Sequence, residues 1–166
     1  MTSAMSLISW LWFVVGIAVA LGPFGAAAQA PVTQQPRIAK SAPKATHKLA
    51  IQVNQYDKAV MDLALNNAKN VIDYYKAKGE RVAVEIVTYG PGLHMLRADT
   101  SPVKDRIASM SLENPNLALI ACGNTQANQS KAEGKPVTLL SEAKVMPSGV
   151  VRLMELQKQG YAYIRP

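Results

Sequence analysis

The sequence predicts an α/β protein with a mostly parallel five-stranded sheet and helices on both of its faces. The first observation is the order of segments: short apolar stretches alternate with stretches of helical periodicity, β then α four times, with a final β. Such alternation favours parallel strands joined by helical crossovers. The second observation is residues 117–121 (LALIA), an apolar run without polar alternation, which is typical of a parallel strand covered on both faces.

The first thirty residues are not predicted to belong to this fold. Residues 7–21 are continuously apolar apart from Ser9, and residues 28–30 (AQA) have the form of a signal-peptidase site. We therefore predict a signal peptide over residues 1–30, cleavage after the last of them, and a periplasmic or secreted protein. Because residues 1–6 contain no Lys or Arg, a signal anchor that is retained in the membrane is the alternative.

Residues 31–46 are predicted to form a disordered spacer, since they are rich in Pro, Ala, Gln and Lys and have neither helical nor strand periodicity. Arg37, Lys40 and Lys44 supply three of the seven net positive charges of the chain, which leaves +4 for residues 47–166. No basic stripe interleaved with aromatic residues is present there, so nucleic-acid binding is not expected. After cleavage of the leader, no stable membrane association is expected either.

Residues 47–166 are long enough to form one domain with a sizeable core. The elements predicted for the first half are a strand over 48–53, a helix over 57–78 with apolar residues at helical spacing, and a strand over 81–89. Gly79 is expected to end the helix, and Gly90-Pro91-Gly92 is expected to form a turn after the second strand.

The second half of this domain begins with Ser101-Pro102, which we predict as the N-cap and N1 residues of a helix that runs to about residue 112. After the apolar strand comes Gly123 as a turn residue, and then Asn124 and Thr125 as N-cap candidates of a polar, exposed helix. The remaining predicted elements are a strand at 145–146, a helix that starts after Pro147-Ser148-Gly149, and a strand over 161–165.

Cys122 is the strongest candidate for a functional residue. It is the only cysteine, so it cannot form an internal disulfide, and it follows the apolar strand immediately before a predicted helix N-terminus. In open α/β sheets the carboxyl edge of the strands is where ligands bind, and the N–H groups of Gly123, Asn124 and Thr125 would stabilise a thiolate there. The functional interpretation is a nucleophilic or sulfur-carrying thiol. The alternative is a small, buried, inert side chain.

Other candidates lie on the same predicted edge. His94 follows the second strand and would make a Cys–His pair with Cys122 if the fold brings the two together. Gly90 and Gly92 would let the backbone approach a ligand closely, although a plain turn is the favoured interpretation. The two histidines and the cysteine match no metal-ligand spacing, and the chain has no nucleotide-binding fingerprint, so neither a metal nor an organic cofactor is expected.

Three segments give the chain a resemblance to the DsrE/DsrF-like sulfur-relay family: residues 89–96 (YGPGLHML), residues 121–125 (ACGNT) and residues 145–166 at the carboxyl end. Together with the order of the elements, they account for nearly all of residues 47–166. The resemblance implies a three-layer α/β/α sandwich that assembles as a homo-trimer or hexamer. It also implies a persulfide on the cysteine after the third strand in those members that relay sulfur, a role that transfers to Cys122 alone.

The hypothesis from the sequence is therefore a periplasmic sulfur-handling protein that acts through Cys122 as a persulfide carrier or a sulfurtransferase. Its partners would be sulfur-donor and sulfur-acceptor thiols, and it would use no cofactor. The alternative is a non-enzymatic oligomeric binding or scaffolding protein in which the same cysteine is inert and buried.

Overall fold

The computed structural model describes residues 47–166, in which strands and helices alternate along the chain. In chain order the elements are β1 (His47–Val53), α1 (Lys58–Ala77), β2 (Val82–Thr88), a 3₁₀ helix (Gly90–Leu96), α2 (Lys104–Glu113), β3 (Leu117–Cys122), α3 (Gly123–Glu133), β4 (Ala143–Met146), α4 (Gly149–Lys158) and β5 (Ala162–Ile164). The predicted signal peptide (residues 1–30) and spacer (residues 31–46) lie outside the described residues.

The five strands form one parallel sheet in the order β4-β3-β2-β1-β5. The chain adds one strand at a time from β1 to β4, and then crosses back to place β5 on the far side of β1. This arrangement confirms the predicted α/β fold. Because all the strands run in the same direction, their carboxyl ends share one edge, and the segments that follow β2, β3 and β4 meet there.

Helices cover both faces of the sheet, as the sequence predicts. One face carries α1, α2 and the 3₁₀ helix, and its buried core includes Leu65 of α1 and Ile107 of α2. The other face carries α4, whose Leu156 packs with Val87 and Ile120 of the strands. Burial of apolar side chains on both faces holds the three layers together. Within residues 47–166, no helix has both the length and the apolar character needed to cross a membrane.

Local signals place several element ends where the sequence predicts them. Asp57 caps α1, since its carboxylate accepts a hydrogen bond from the backbone N–H of Ala59 at 2.7 Å. Gly79 follows the same helix with a φ of +69°, a conformation that favours glycine. Ser148 caps α4 by accepting a hydrogen bond from the N–H of Val151.

The start of α2 differs from the prediction. The helix begins at Lys104, and Ser101-Pro102 lies in a turn before it rather than at its N-cap and N1 positions. The hydroxyl of Ser101 donates to the carbonyl oxygen of Met95 at 2.6 Å, which ties this turn to the 3₁₀ helix. A tertiary contact therefore uses the side chain that sequence preference assigns to a helix cap.

The start of α3 also differs from the prediction, by one to two residues. Cys122 itself is the N-cap residue and Gly123 is the first helical residue, so Gly123 is not a turn residue. Asn124 and Thr125, the predicted N-cap candidates, lie in the first turn of the helix. Gly90-Pro91-Gly92 likewise does not form an isolated turn but opens the 3₁₀ helix.

A buried arginine joins the 3₁₀ helix to α3. Arg97, which is 2% exposed, donates to the carboxylate of Asp99 at 2.7 and 2.9 Å and to that of Glu133 at 3.0 Å. Its hydrogen bonds hold the pKa of Asp99 at about 2. Charge-assisted contacts of this kind fix the position of α3 against the sheet edge.

Candidate functional site

The sheet edge beside Cys122 brings together the starts of two helices. Cys122 ends β3 immediately before α3, and it pairs with Met146 of β4, after which α4 begins three residues later. The backbone N–H of Asn124, in the first turn of α3, donates to the carbonyl oxygen of Pro147 at 3.1 Å. The cysteine therefore lies between two helix N-termini, each of which carries roughly half a positive charge.

The strand register places Cys122 on the face that α4 covers. Ile120, two residues earlier in β3, belongs to the core beneath α4, whereas Leu119 belongs to the opposite core. Gly149, the first residue of α4, is buried against the cysteine. A Cβ atom at position 149 would lie 3.3 Å from the Cβ of Cys122 and 3.2 Å from the Cβ of Tyr89. The lack of a side chain at Gly149 lets the start of α4 approach the thiol.

Polar groups at the starts of both helices influence the pKa of the Cys122 thiol. Burial raises the pKa of this thiol, but the hydroxyl of Thr125 and the backbone N–H groups of Gly149, Thr125 and Asn124 outweigh burial and leave the pKa below its ordinary value. Hydrogen bonds to the charged form stabilise that form, so the site favours a thiolate. Of the three N–H groups predicted to act on the thiol, those of Asn124 and Thr125 are among these groups and that of Gly123 is not, whereas Gly149 was not predicted.

Cys122 is 5% exposed, so its side chain is buried rather than on an open surface. The groups around it differ from those of an inert core cysteine, because they are hydrogen-bond donors from the starts of α3 and α4. A buried apolar site would raise a thiol pKa. The surroundings thus combine low exposure with stabilisation of the anion.

His94 makes its contacts on the other side of the sheet edge. Its Nδ1 lies 2.7 Å from the hydroxyl oxygen of Thr100, and its ring stacks on Tyr56 with 4.1 Å between the centroids. Burial, with the positive charge of Arg97 as a smaller cause, lowers the pKa of His94, so the imidazole is neutral at neutral pH. Among residues 47–166, the donors that lower the pKa of Cys122 do not include His94, and the Cys–His pair stays a prediction.

The candidate glycines have packing roles in the structure. Gly90 has a φ of +53°, and its N–H donates to the hydroxyl oxygen of Thr125 at 3.0 Å, which links β2 to the start of α3. Gly92 is buried against the end of β1, where a Cβ atom would lie 2.2 Å from the carbonyl oxygen of Val53. Gly123 packs against Val145, with 3.2 Å between the position of its missing Cβ and Cγ1.

A surface pocket of about 430 Å³ lies beside the start of α3. The stacked rings of Tyr56 and His94 line it together with Pro91 and Thr125, and Thr125 also lowers the pKa of the Cys122 thiol. Another cavity, of about 340 Å³, lies at the amino ends of β2 and β3, at the opposite edge of the sheet. Among the described residues, no three His, Cys, Asp or Glu side chains lie close enough together to hold a metal ion.

Comparison with known proteins supports the fold. No family model matches the chain, and no curated protein does. A solved structure titled as a protein of unknown function, MTH1491 from Methanobacterium thermoautotrophicum, is similar to this chain with a TM-score of 0.60 and 28% sequence identity. The similarity extends over 72% of this chain and 99% of that one. The similarity supports a compact α/β fold and gives no information about activity.

The donor set predicts how a substitution at Thr125 will change the thiol. Thr125→Val removes the hydroxyl that donates to Cys122 and leaves a side chain of similar shape, so the pKa of Cys122 should rise. A hydrogen bond to a charged group contributes enough free energy for its loss to raise the pKa of Cys122 by roughly one unit. The measurement is the rate of alkylation of Cys122 by iodoacetamide as a function of pH.

Thr125→Ser is the matched control, since it keeps the hydroxyl. Its pH profile should stay close to that of the wild type. Equal profiles for wild type and Thr125→Val would show that the hydroxyl does not act on the sulfur.

Proposed function

We propose that this protein handles sulfur through Cys122, which accepts a sulfane sulfur atom from a donor and passes it to an acceptor thiol. The observation that supports the proposal is the position of Cys122 at the N-cap of α3 and against Gly149 at the start of α4, where neighbouring polar groups lower the pKa of the thiol. The thiolate is the nucleophilic form of cysteine. The resemblance of the sequence to sulfur-relay proteins, centred on residues 121–125, points to the same chemistry.

The transfer needs no external oxidant or reductant. The thiolate of Cys122 attacks the outer sulfur of a donor persulfide, R–S–S–H, and forms a new S–S bond. The S–S bond of the donor breaks, and R–S⁻ leaves with the electron pair, so that Cys122 carries the group –S–S–H. An acceptor thiolate then attacks the outer sulfur of Cys122 and receives it, and Cys122 leaves as a thiolate.

The geometry of the site suits both halves of this exchange. A thiol with a lowered pKa is ionised to a greater extent at neutral pH and is also a better leaving group when the acceptor attacks. The N–H groups of Asn124, Thr125 and Gly149 can stabilise the negative charge before transfer, and again when the sulfur of Cys122 leaves. The 5% exposure of Cys122 favours donors that present a small terminal sulfur atom.

The low exposure also favours a second candidate function, a non-enzymatic binding or scaffolding protein in which Cys122 only fills space. The two functions differ in the reactivity of the native thiol. An inert cysteine would be alkylated slowly in the folded protein and quickly after denaturation. A carrier cysteine would react in the folded state.

The direct test is sulfur loading followed by mass spectrometry. The protein, reduced beforehand, is incubated with inorganic polysulfide, freed of excess reagent and measured intact. Wild-type protein should gain the mass of one or more sulfur atoms, and cyanide or dithiothreitol should remove them.

Cys122→Ser is the matched control for this experiment and should gain nothing. Transfer is tested by adding a thiol acceptor to the loaded protein and following loss of the added mass. The proposal fails if wild type and Cys122→Ser take up the same amount of sulfur.

We also propose that the chain is exported and acts in the periplasm or outside the cell, on the basis of residues 1–30. N-terminal sequencing of the protein recovered from the periplasm or the medium should begin at Pro31. A mature protein that keeps residue 1 and fractionates with membranes would show that the leader is retained as an anchor.

Assembly as a homo-trimer or hexamer is a further part of the proposal. Its support is the resemblance, together with a group of apolar side chains on β4 and α4 that are each about half exposed: Val145, Val150, Val151 and Met154. Sedimentation of the protein without residues 1–30 should give a mass of three or six chains, and Met154→Glu should shift it toward one. Leu112→Glu, at an 87% exposed position on α2, is the control and should leave the mass unchanged. A wild-type protein that sediments as a monomer contradicts this part of the proposal.

A further inference from the structure

A buried ion pair fixes α4 to the middle of the sheet. Glu85 lies in β2, on the face that α4 covers, and is 8% exposed. Arg152 of α4 donates to both of its carboxylate oxygens, with distances of 2.6 and 2.9 Å from the nitrogen atoms Nη2 and Nε. This two-point contact restricts rotation and sliding of the helix more than a single hydrogen bond would.

The same helix turn reaches the thiol. Arg152 is three residues after Gly149, and its own N–H donates to the carbonyl oxygen of Ser148 at 3.0 Å, which closes the first turn of α4. Gly149 occupies a tight gap between Tyr89 and Cys122, where an added Cβ atom would lie 3.2 to 3.3 Å from their Cβ atoms. A shift of this turn by a fraction of an ångström would therefore change the contact of the Gly149 N–H with the sulfur.

We propose that Glu85 and Arg152 are positioning residues for Cys122, because their ion pair holds the first turn of α4, whose Gly149 packs directly against Cys122. The inference rests on the proposed role of Cys122 as a reactive thiol. The proposal requires no contact of either residue with the sulfur or with a substrate. Their effect on Cys122 passes through the helix.

Apolar packing accounts for the attachment of α4 but not for its alignment. Leu153 and Leu156 are buried against the strands and supply the hydrophobic contact. Such contacts are not directional, and a buried ion pair is in general weak evidence for stability. We therefore explain the bidentate pair of Glu85 and Arg152 by the alignment of α4 on the sheet rather than by a contribution to stability. The other groups that face the pair are Glu155, at 3.4 Å from Arg152, and Tyr161, whose pKa is raised by burial and then by the charge of Glu85.

The sign of the change in thiol pKa separates positioning from direct electrostatics. Glu85→Leu removes a negative charge, and by Coulomb's law alone it would lower the pKa of Cys122. Loss of alignment would instead raise that pKa, because the Gly149 donor would be displaced. We expect a rise of about half a unit to one unit, equivalent to roughly a three- to tenfold decrease in the acid dissociation constant of the thiol.

Arg152→Lys is the second variant and keeps the positive charge while losing the two-point contact. Direct electrostatics predicts no change for it, and positioning predicts a smaller rise in the pKa of Cys122. Because this substitution is mild, it decides the question if Glu85→Leu does not fold by circular dichroism. The measurement in each case is the pH dependence of alkylation of Cys122.

Arg106→Lys is the matched control, since Arg106 of α2 pairs with Asp62 of α1 on the other face of the sheet at 3.2 Å. It should leave the thiol pKa unchanged. A fall or no change in folded Glu85→Leu, no change in Arg152→Lys, or an equal rise in Arg106→Lys would each overturn the inference. Sulfur loading of the wild type is scored separately, so a protein that loads no sulfur sinks the proposed function without deciding whether the ion pair positions the thiol.

Discussion

The starts of two helices, α3 and α4, meet at Cys122, and the proposed function depends on this arrangement. A thiol buried to this extent would ordinarily have a raised pKa, because burial disfavours the anion. Here the hydroxyl of Thr125 and backbone N–H groups from α3 and α4 reverse that tendency at Cys122. Backbone donors at a helix start have no partner within the helix, so the N–H groups of Thr125 and Gly149 can stabilise a thiolate, whereas that of Asn124 also donates to the carbonyl oxygen of Pro147. The chemistry proposed for the protein follows from this property of the fold.

The convergence requires β3 and β4 to be neighbours in the sheet while the helices that follow them extend to different sides. α4 packs over the second core, whereas α3 contacts the 3₁₀ helix, which belongs to the first core. Adjacent strands whose connections diverge in this way leave a crevice at their carboxyl ends, a common location for ligand sites in α/β proteins. Gly149 makes the crevice tight, and the ion pairs of Arg97 and Arg152 hold the two helices on either side of it.

Much of the fold could be predicted from the sequence, because the relevant signals are local. The apolar run of residues 117–121, the caps of α1 and α4, and the helix-ending Gly79 all lie within the elements they define. The observed start of α3 precedes the predicted one, and Asn124 in its first turn donates its N–H to the carbonyl of Pro147 in a neighbouring loop, a contact that no local preference reveals. Cys122 could also be predicted as a candidate site residue from local sequence, because it directly follows the apolar run of the strand that it ends.

The rest of the site could not be predicted, because it depends on contacts between residues far apart in the chain. Gly149 reads in the sequence as part of a helix start, and only the pairing of β3 with β4 brings it to Cys122. Glu85 and Arg152 are 67 residues apart, and neither belongs to a recognisable motif. His94 and Cys122 follow strands that end at the same edge of the sheet, as the sequence predicts. However, the buried residues of the 3₁₀ helix that contains His94 pack into the core on the face opposite α4.

The central claim is that the site stabilises the anion of Cys122. Thiolate absorbs ultraviolet light more strongly than thiol, so the difference in absorbance between wild type and Cys122→Ser, followed across pH, gives the ionisation of this one group in the folded protein. The account predicts a midpoint clearly below about 8.5, the value of a free cysteine. A midpoint at or above that value would contradict it.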